Sequence, residues 1–477
     1  LILKRFYDDN LAQASFLVGC ARTGTAIVID PNRDIGQYLA AAETEGVQIE
    51  AVTETHIHAD YLSGTRELAA ATGARMYLSD EGDAEWKYEF ASDPNVTLVR
   101  DGDSIRVGNV RLDVKRTPGH TPEHVSFIVT DEPASSQPLG AFTGDFIFVG
   151  DVGRPDLLER AAGVSGAMEA GARTLFKSLT AFKASMPDTL ILWPGHGSGS
   201  ACGKALGGVP VSVLGYEKVA NWGLKFASED QFAAAVLEGQ PDPPVYFKRM
   251  KLLNRAGPPI LGEVGPLERL DPGTLVGLLA SKAAIVDVRP QESVARGYAR
   301  GSIAIPLERS FTTWSGWLLP YEEDLFIIAE DAAQAELAAR HWRMIGLDRA
   351  RGWFGAEALA ALGHLASIPQ MNAKEVREAI TSGDADLLDV RSAAEHAESR
   401  IPGAVNIPLG HLPRRVDEVS IERPLVVHCA SGHRSAIAAT VLSRAGVRDV
   451  INASGGIEEY LQAEYPVEEG RAEAVGV

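Results

Sequence analysis

Two stretches of this chain are one stretch written twice. "IVDVRPQESVARGYARGSIAIPL" (285–307) and "LLDVRSAAEHAESRIPGAVNIPL" (387–409) align without gaps at an offset of 102 residues. Each runs from an apolar β-branched segment through Asp-Val-Arg and a helical stretch to an Ile-Pro-Leu end. A second pair, "MIGLDRARGWFGA" (344–356) and "RAGVRDVINASGG" (444–456), matches at an offset of 100. A repeat of this size is a domain rather than a solenoid unit. Its alternation of short β-branched runs with helical stretches predicts a parallel α/β sheet in each copy. The chain of 477 residues exceeds one ordinary core, so two to four domains are expected. "QPDPPVYFKRMKLLNRAGPP" (240–259) is Pro-rich and reads as a linker. The expected division is therefore 1–240, a linker at 241–262, then 263–365 and 366–477.

The block ahead of the repeats offers metal ligands from four separate segments. "THIHAD" supplies His56, His58 and Asp60. "TPGHTPEHV" supplies His120, with His124 close by. "FTGDFIF" supplies Asp145 and "LWPGHG" supplies His196. Each follows an apolar run or sits in a glycine-containing turn, where a strand hands a side chain to a cleft. Any one of these histidines alone reads as a hydrogen-bonded core residue. Four segments in this order read as a metal site.

The order resembles the metallo-β-lactamase superfamily, His-x-His-x-Asp-His followed by His, Asp and His. The resemblance implies an αββα sandwich with a metal at one edge of two packed sheets. It also exposes a departure, because Tyr61 stands where two-metal members such as glyoxalase II have a histidine. A phenol titrates near 10 and is a poor ligand at neutral pH, so a second metal site is impaired. The persulfide dioxygenase branch keeps mononuclear iron on the first His, the middle His and the Asp. By resemblance these are His56, His120 and Asp145, binding one Fe(II) per chain, with zinc a possible substitute. Two His and one carboxylate leave open positions for a substrate sulfur and O₂, whereas zinc has no redox chemistry. His58, Asp60 and His196 are then expected to orient ligands or waters, or to ligate as alternatives. "GDVGRPD" (150–156) resembles the branch's Gly-x-Gly-Arg segment, making Arg154 a candidate for binding anionic substrate. Cys202, in the Gly/Ser loop after His196, is a candidate for lining the substrate route, and Cys20 reads as structural.

In the last block, "PLVVHCASGHRSAIAATVL" runs from an apolar strand to a helix, with Cys429 at the strand end. Backbone N–H groups of such a loop and the helix dipole favour a thiolate or persulfide anion. Ser431, Gly432, His433 and Ser435 are the expected substrate-binding residues, and Arg434 joins Cys429 as catalytic. The motif Cys-x-x-Gly-x-Arg-Ser, with Asp-Val-Arg and Ile-Pro-Gly-Ala-x-Asn-Ile-Pro upstream, resembles the rhodanese family. Cys-based phosphatases place five residues between Cys and Arg; here there are four (430–433), which suits sulfur transfer. The earlier copy puts Ala329 and Gln334 at the positions of Cys429 and Arg434, so the middle domain reads as inactive.

The expected class is therefore α/β: an αββα metallo-β-lactamase sandwich followed by two doubly wound parallel-sheet rhodanese-like domains. The three parts together resemble persulfide dioxygenase–rhodanese fusions of sulfide detoxification. The implied reaction oxidises a low-molecular-weight persulfide with O₂ to sulfite, coupled to thiosulfate formation or use through Cys429. A glyoxalase II-like thioester hydrolase fused to a sulfurtransferase is the rival enzyme. A sulfur carrier or redox sensor built on Cys429 is the rival of another class. A formal charge of −19 argues against general nucleic-acid or anionic-membrane binding. No apolar run approaches the ~20 residues of a spanning helix. Three cysteines do not make a disulfide framework, and with no signal-peptide pattern a cytoplasmic setting is expected. The inactive middle copy leaves docking or subunit contacts as its role, and a homo-oligomer is expected.

Overall fold

The computed structural model describes residues 1–160, 166–420 and 422–470. The end of the last expected domain, 471–477, lies outside the described residues. The chain divides into two compact units, Leu1–Val264 with Arg343–Gly346, and Gly265–Trp342 with Leu347–Val477.

In the first unit, side-chain alternation decides the layering. Ala14, Phe16 and Val18 point one way from the strand Gln13–Cys20, and Val110, Leu112 and Val114 do the same from Val110–Arg116. Val125, Phe127 and Val129 complete a core between two sheets, which also encloses Cys20. The intervening residues face outward yet remain buried, because helices cover them. Leu17, Val28 and Val52 pack with Tyr38 and Leu68. Ile128, Ala141 and Leu192 pack with Leu175, Leu179 and Phe182 of the helix Ala167–Ser185. Strands buried on both faces read as continuous apolar runs, and Gln13–Cys20 is buried throughout. The result is an αββα sandwich of two six-stranded sheets. One sheet holds the strands between Ile2 and Val99 in chain order. The other runs Ser212–Val213, Ile191–Pro194, Gly140–Gly144, Val125–Asp131, Val110–Arg116, Ser104–Val107.

The stretch expected to be a linker carries a ten-residue helix, Phe247–Ala256. Asn254 explains why it is ordered. Its Nδ2 donates to the carbonyls of His58 (2.8 Å) and Tyr61 (2.7 Å), and its Oδ1 accepts from the Ser63 N–H (2.9 Å). The proline-rich flanks hid a helix that is fastened to the loop after His58.

The second unit holds two parallel sheets. One orders Ile303–Ala304, Ala284–Asp287, Leu325–Ala329 and Ala350–Gly355. The other orders Val405–Asn406, Asp386–Asp389, Leu425–His428, Val450–Ala453 and Gln370–Met371. An isolated parallel bridge between Arg269 and Trp353 stands where Gln370 pairs with Asn452. The two copies thus share one strand order. The repeated Asp-Val-Arg is a device for closing the following helix. Asp287 accepts two hydrogen bonds from the Arg289 guanidinium, which also donates to the Gly297 carbonyl just past the helix Gln291–Arg296. Asp389, Arg391 and Ser399 repeat this around Ala393–Glu398.

Candidate functional site

The metal ligands expected from sequence meet at strand ends of the first unit. His56 follows the strand Gln48–Thr53, Asp145 follows Gly140–Gly144, and His196 follows Ile191–Pro194. His120 sits in the turn between Val110–Arg116 and Val125–Asp131. Gly144 makes the approach possible. It has φ +49°, and a Cβ there would lie 2.4 Å from the Thr55 Oγ1.

Each histidine has one ring nitrogen committed elsewhere. The Asp30 carboxylate accepts from the Thr55 hydroxyl (3.0 Å), so that hydroxyl is left to accept from the His56 Nδ1–H (3.0 Å). His120 Nδ1 donates to the Arg154 carbonyl (3.2 Å) and His196 Nδ1 to the Ala12 carbonyl (3.1 Å). All three Nε2 atoms are therefore bare, as a metal requires. His56 Nε2 and His120 Nε2 lie 4.0 and 3.5 Å from Asp145 Oδ2. His196 Nε2 lies 3.4 Å from Asp145 Oδ1 and 3.3 Å from Asp60 Oδ2. His56 Nε2 and both oxygens of Asp60 and of Asp145 are buried without a hydrogen-bond partner. Buried polar atoms left so are costly, and a cation among them resolves the cost. Burial holds the His56 imidazole well below its usual range and His120 at about 3, so both are neutral. Burial pushes the Asp145 carboxyl up to about 6, against the opposing pull of His196.

The other candidates divide. His58 turns its Nε2 to Asp30 Oδ1 (3.1 Å) and lies between the rings of His56 and Tyr61, tilted to both. Its burial would lower its pKa, but Asp30, Asp60 and Glu54 raise it to about 9, the state of a cation paired to Asp30. Tyr61 is fully buried and donates its hydroxyl to the Asp30 carbonyl (3.2 Å). His124 is committed at both nitrogens, accepting from the Asp145 N–H (3.1 Å) and bonding Thr117 Oγ1 (2.9 Å). Cys202 is buried beside Asp60 and His196, the three forming a second group with metal-ligand spacing. Burial, with the Asp60 and Asp145 charges, pushes its thiol well above the usual range. Arg154 departs from the sequence expectation. It is fully buried and spends its guanidinium on Asp156 and on the carbonyls of Ala201 and Pro241, all within 3.1 Å. It braces the loops with four of its five N–H groups. Asp30, Thr55 and Asn254 were not found from sequence. Asp30 stands at a strand end, φ +51°, the same signal that found Asp145.

In the second unit, Cys429 is buried directly after the strand Leu425–His428, at the mouth of the helix His433–Arg444. Its Sγ accepts from the Gly432 N–H (3.2 Å) and the Ser435 hydroxyl (3.5 Å). Gly432 has φ +90°, and a Cβ there would strike the Ser454 carbonyl at 2.0 Å. Ser431 is exposed on the loop, and His433 is half-buried with Nδ1 3.5 Å from Glu308. Arg434 departs from its expected role. Both its terminal nitrogens are engaged by Glu395 (2.8 and 2.7 Å), so it locks the loop to the helix Ala393–Glu398. In the middle copy, Ala329 ends its strand and the helix starts at Ala332, with only Glu330 and Asp331 between. Four residues span the same gap at Cys429. The middle copy has neither the thiol nor the loop.

The metallo-β-lactamase superfamily model matches residues 8–196, and the rhodanese-like domain model matches 372–463. A metallo-β-lactamase from Staphylococcus aureus subsp. aureus COL, known by crystal structure, is 39% identical. That match covers 74% of this chain and 98% of the other, with a TM-score of 0.67. The chain belongs to the metallo-β-lactamase superfamily and carries a rhodanese-like domain in its C-terminal part. Within that superfamily its relatives include the mitochondrial persulfide dioxygenase ETHE1 of Bos taurus, 26% identical over 48% of this chain and 78% of that protein. A hydroxyacylglutathione hydrolase of Polaromonas sp. is 30% identical over 41% of this chain and 66% of that protein. Among the described residues, no helix is long and apolar enough to cross a membrane.

Proposed function

We propose that the first unit oxidises a low-molecular-weight persulfide with O₂ at one iron, and that Cys429 moves the sulfane sulfur. The carrying observation is the trio His56, His120 and Asp145, whose bare nitrogens and unpartnered carboxylate converge while Tyr61 replaces a ligand. These residues fit a single divalent ion held by two imidazoles and a carboxylate. Bound there, Fe(II) would supply the redox chemistry that lets a thiol compound react with O₂. The chain's own residues hold and orient. Asp30 through Thr55 fixes the His56 tautomer, and the Arg154 carbonyl fixes that of His120. The buried walls keep both imidazoles neutral. The overall change is RSSH + O₂ + H₂O → RSH + H₂SO₃. The terminal sulfur loses four electrons, O₂ gains them, and the S–S bond breaks.

In the rhodanese-like domain, Cys429 would carry one sulfur as Cys–S–S⁻. Attack by sulfite on the outer sulfur breaks that S–S bond, forms thiosulfate and returns the thiolate. The Gly432 N–H and Ser435 hydroxyl face the charge that remains on Sγ. The second reading is a two-metal thioester hydrolase. It draws support from the Asp60, His196 and Cys202 group and from the hydrolase relatives. Metal analysis together with an oxygen electrode separates the two. One iron and O₂ uptake with a persulfide support the oxygenase, whereas two metals and thioester cleavage without O₂ uptake overturn it.

A further inference from the structure

One wall of the first unit is hollow in two stages. A surface cleft of about 260 Å³ is lined by Trp86, Arg116, Leu158 and residues of the helix Ala167–Ser185. Trp86 and Leu158 also line a narrow neck of about 20 Å³ beside it, which reaches His120. A neck of that volume admits one water-sized group at a time, the width of an unbranched –CH₂–S– chain. The cleft outside has room for the remainder of a small thiol.

The neck is mostly apolar. Ile57, Leu157, Leu158 and Trp86 line it, with Thr121 and His120 at its polar side, and Lys251 brings the one ammonium group to its wall. Lys251 is only 7% exposed. Its Nζ lies 3.6 Å from the Trp86 ring centroid, so its close partner is an indole face rather than a carboxylate. Glu123, Glu85 and Asp83 act on it through space, none within ion-pair distance; Glu123 Oε1 accepts from the Ile57 N–H at 2.8 Å, and its Oε2 has no hydrogen-bond partner. Lys251 is also held in place. It belongs to the helix Phe247–Ala256, which Asn254 fastens to the carbonyls of His58 and Tyr61. A buried cation beside an aromatic face is a strong attractor for an anion.

We propose that neck and cleft are the carrier subsite, shaped for an unbranched thiol that bears a carboxylate, and that Lys251 pairs with that carboxylate. The proposal rests on the persulfide reading for its substrate, not for its binding test. That test is isothermal titration of the whole metal-loaded chain, without oxygen, using 3-mercaptopropionate and its methyl ester. Both probes carry the same thiol, so the ratio reports the carboxylate alone. Wild type should bind the acid about tenfold more tightly than the ester, the worth of one charged hydrogen bond. Lys251→Met should bring the two within about twofold at unchanged metal content, and Lys251→Arg should keep the preference. Equal affinities in wild type, no binding of the acid, or a preference that survives Lys251→Met would each overturn the site. Should Lys251→Met fail to fold, the wild-type ratio and Lys251→Arg still decide. O₂ uptake with persulfides of the same two thiols keeps the readings apart. Acid-selective binding without O₂ uptake sinks the oxygenase and leaves the subsite. O₂ uptake with equal KM for both persulfides does the reverse.

Discussion

Asp30 gives two neighbouring histidines opposite roles. Through the Thr55 hydroxyl it leaves His56 Nε2 bare; through a direct bond it takes up His58 Nε2. A histidine whose pKa is raised by a carboxylate is a cation, whereas His56, held low, is neutral and free to offer its Nε2. Thr55→Val removes the acceptor for the His56 Nδ1–H while keeping the shape. It should weaken metal affinity about tenfold, read by competition with a chelator. Arg434 shows the same dependence on a distant partner. Its pairing with Glu395 holds that carboxyl down at about 2, against a burial effect that alone would raise it. A depressed carboxyl stabilises above its unfolded pKa and loses that contribution as pH falls through its folded one. Wild type should therefore exceed Glu395→Gln in urea unfolding by about 1 kcal/mol at neutral pH, a modest figure because the pair is partly solvated. The gap should close between about pH 4.5 and pH 2. His56, Asp145 and Cys429 could be picked out from sequence because each follows a strand, and His120 because it sits in a glycine-containing turn. The pairings that set their states could not. Asp30 and Glu395 lie 25 and 39 residues from the groups they bind, and no local spacing marks such pairs.

Elements show where local signals mislead. The stretch 240–259 is rich in proline and reads as a connection, yet the helix Phe247–Ala256 satisfies three buried backbone groups of the loop after His58. Asn254→Leu would orphan all three, at a cost of about 3 kcal/mol or more. Urea unfolding should show that loss, and metal should leave the variant faster on dialysis. The two rhodanese-like copies differ for an elemental reason as well. After Ala329 two residues separate strand from helix, whereas four do so at Cys429, where the Gly432 N–H donates to Sγ. The missing thiol was visible from sequence by alignment. The shorter turn was not, because helix and strand each extend by one residue into the gap.

At the scale of the whole molecule, the αββα sandwich was foreseeable from the resemblance that the ligand motifs carry, and the parallel sheets from short β-branched runs alternating with helical stretches. Chemistry is divided between the units, so mutation should divide the activities. Cys429→Ser cannot form a persulfide. It should abolish sulfur transfer from thiosulfate to a thiol, leave oxidation of a supplied persulfide largely intact, and shift the product from thiosulfate toward sulfite. Product analysis for the two anions checks this, after correction for uncatalysed trapping.

Oxygen uptake per bound metal tests the central claim most directly. As-isolated wild type should hold about one iron per chain and consume one O₂ for each persulfide oxidised. Three ligands hold the ion, so His120→Ala and Asp145→Ala should lose metal and uptake together. Full iron occupancy with undiminished uptake in either variant would contradict the assignment of His56, His120 and Asp145 as the centre of this protein's chemistry.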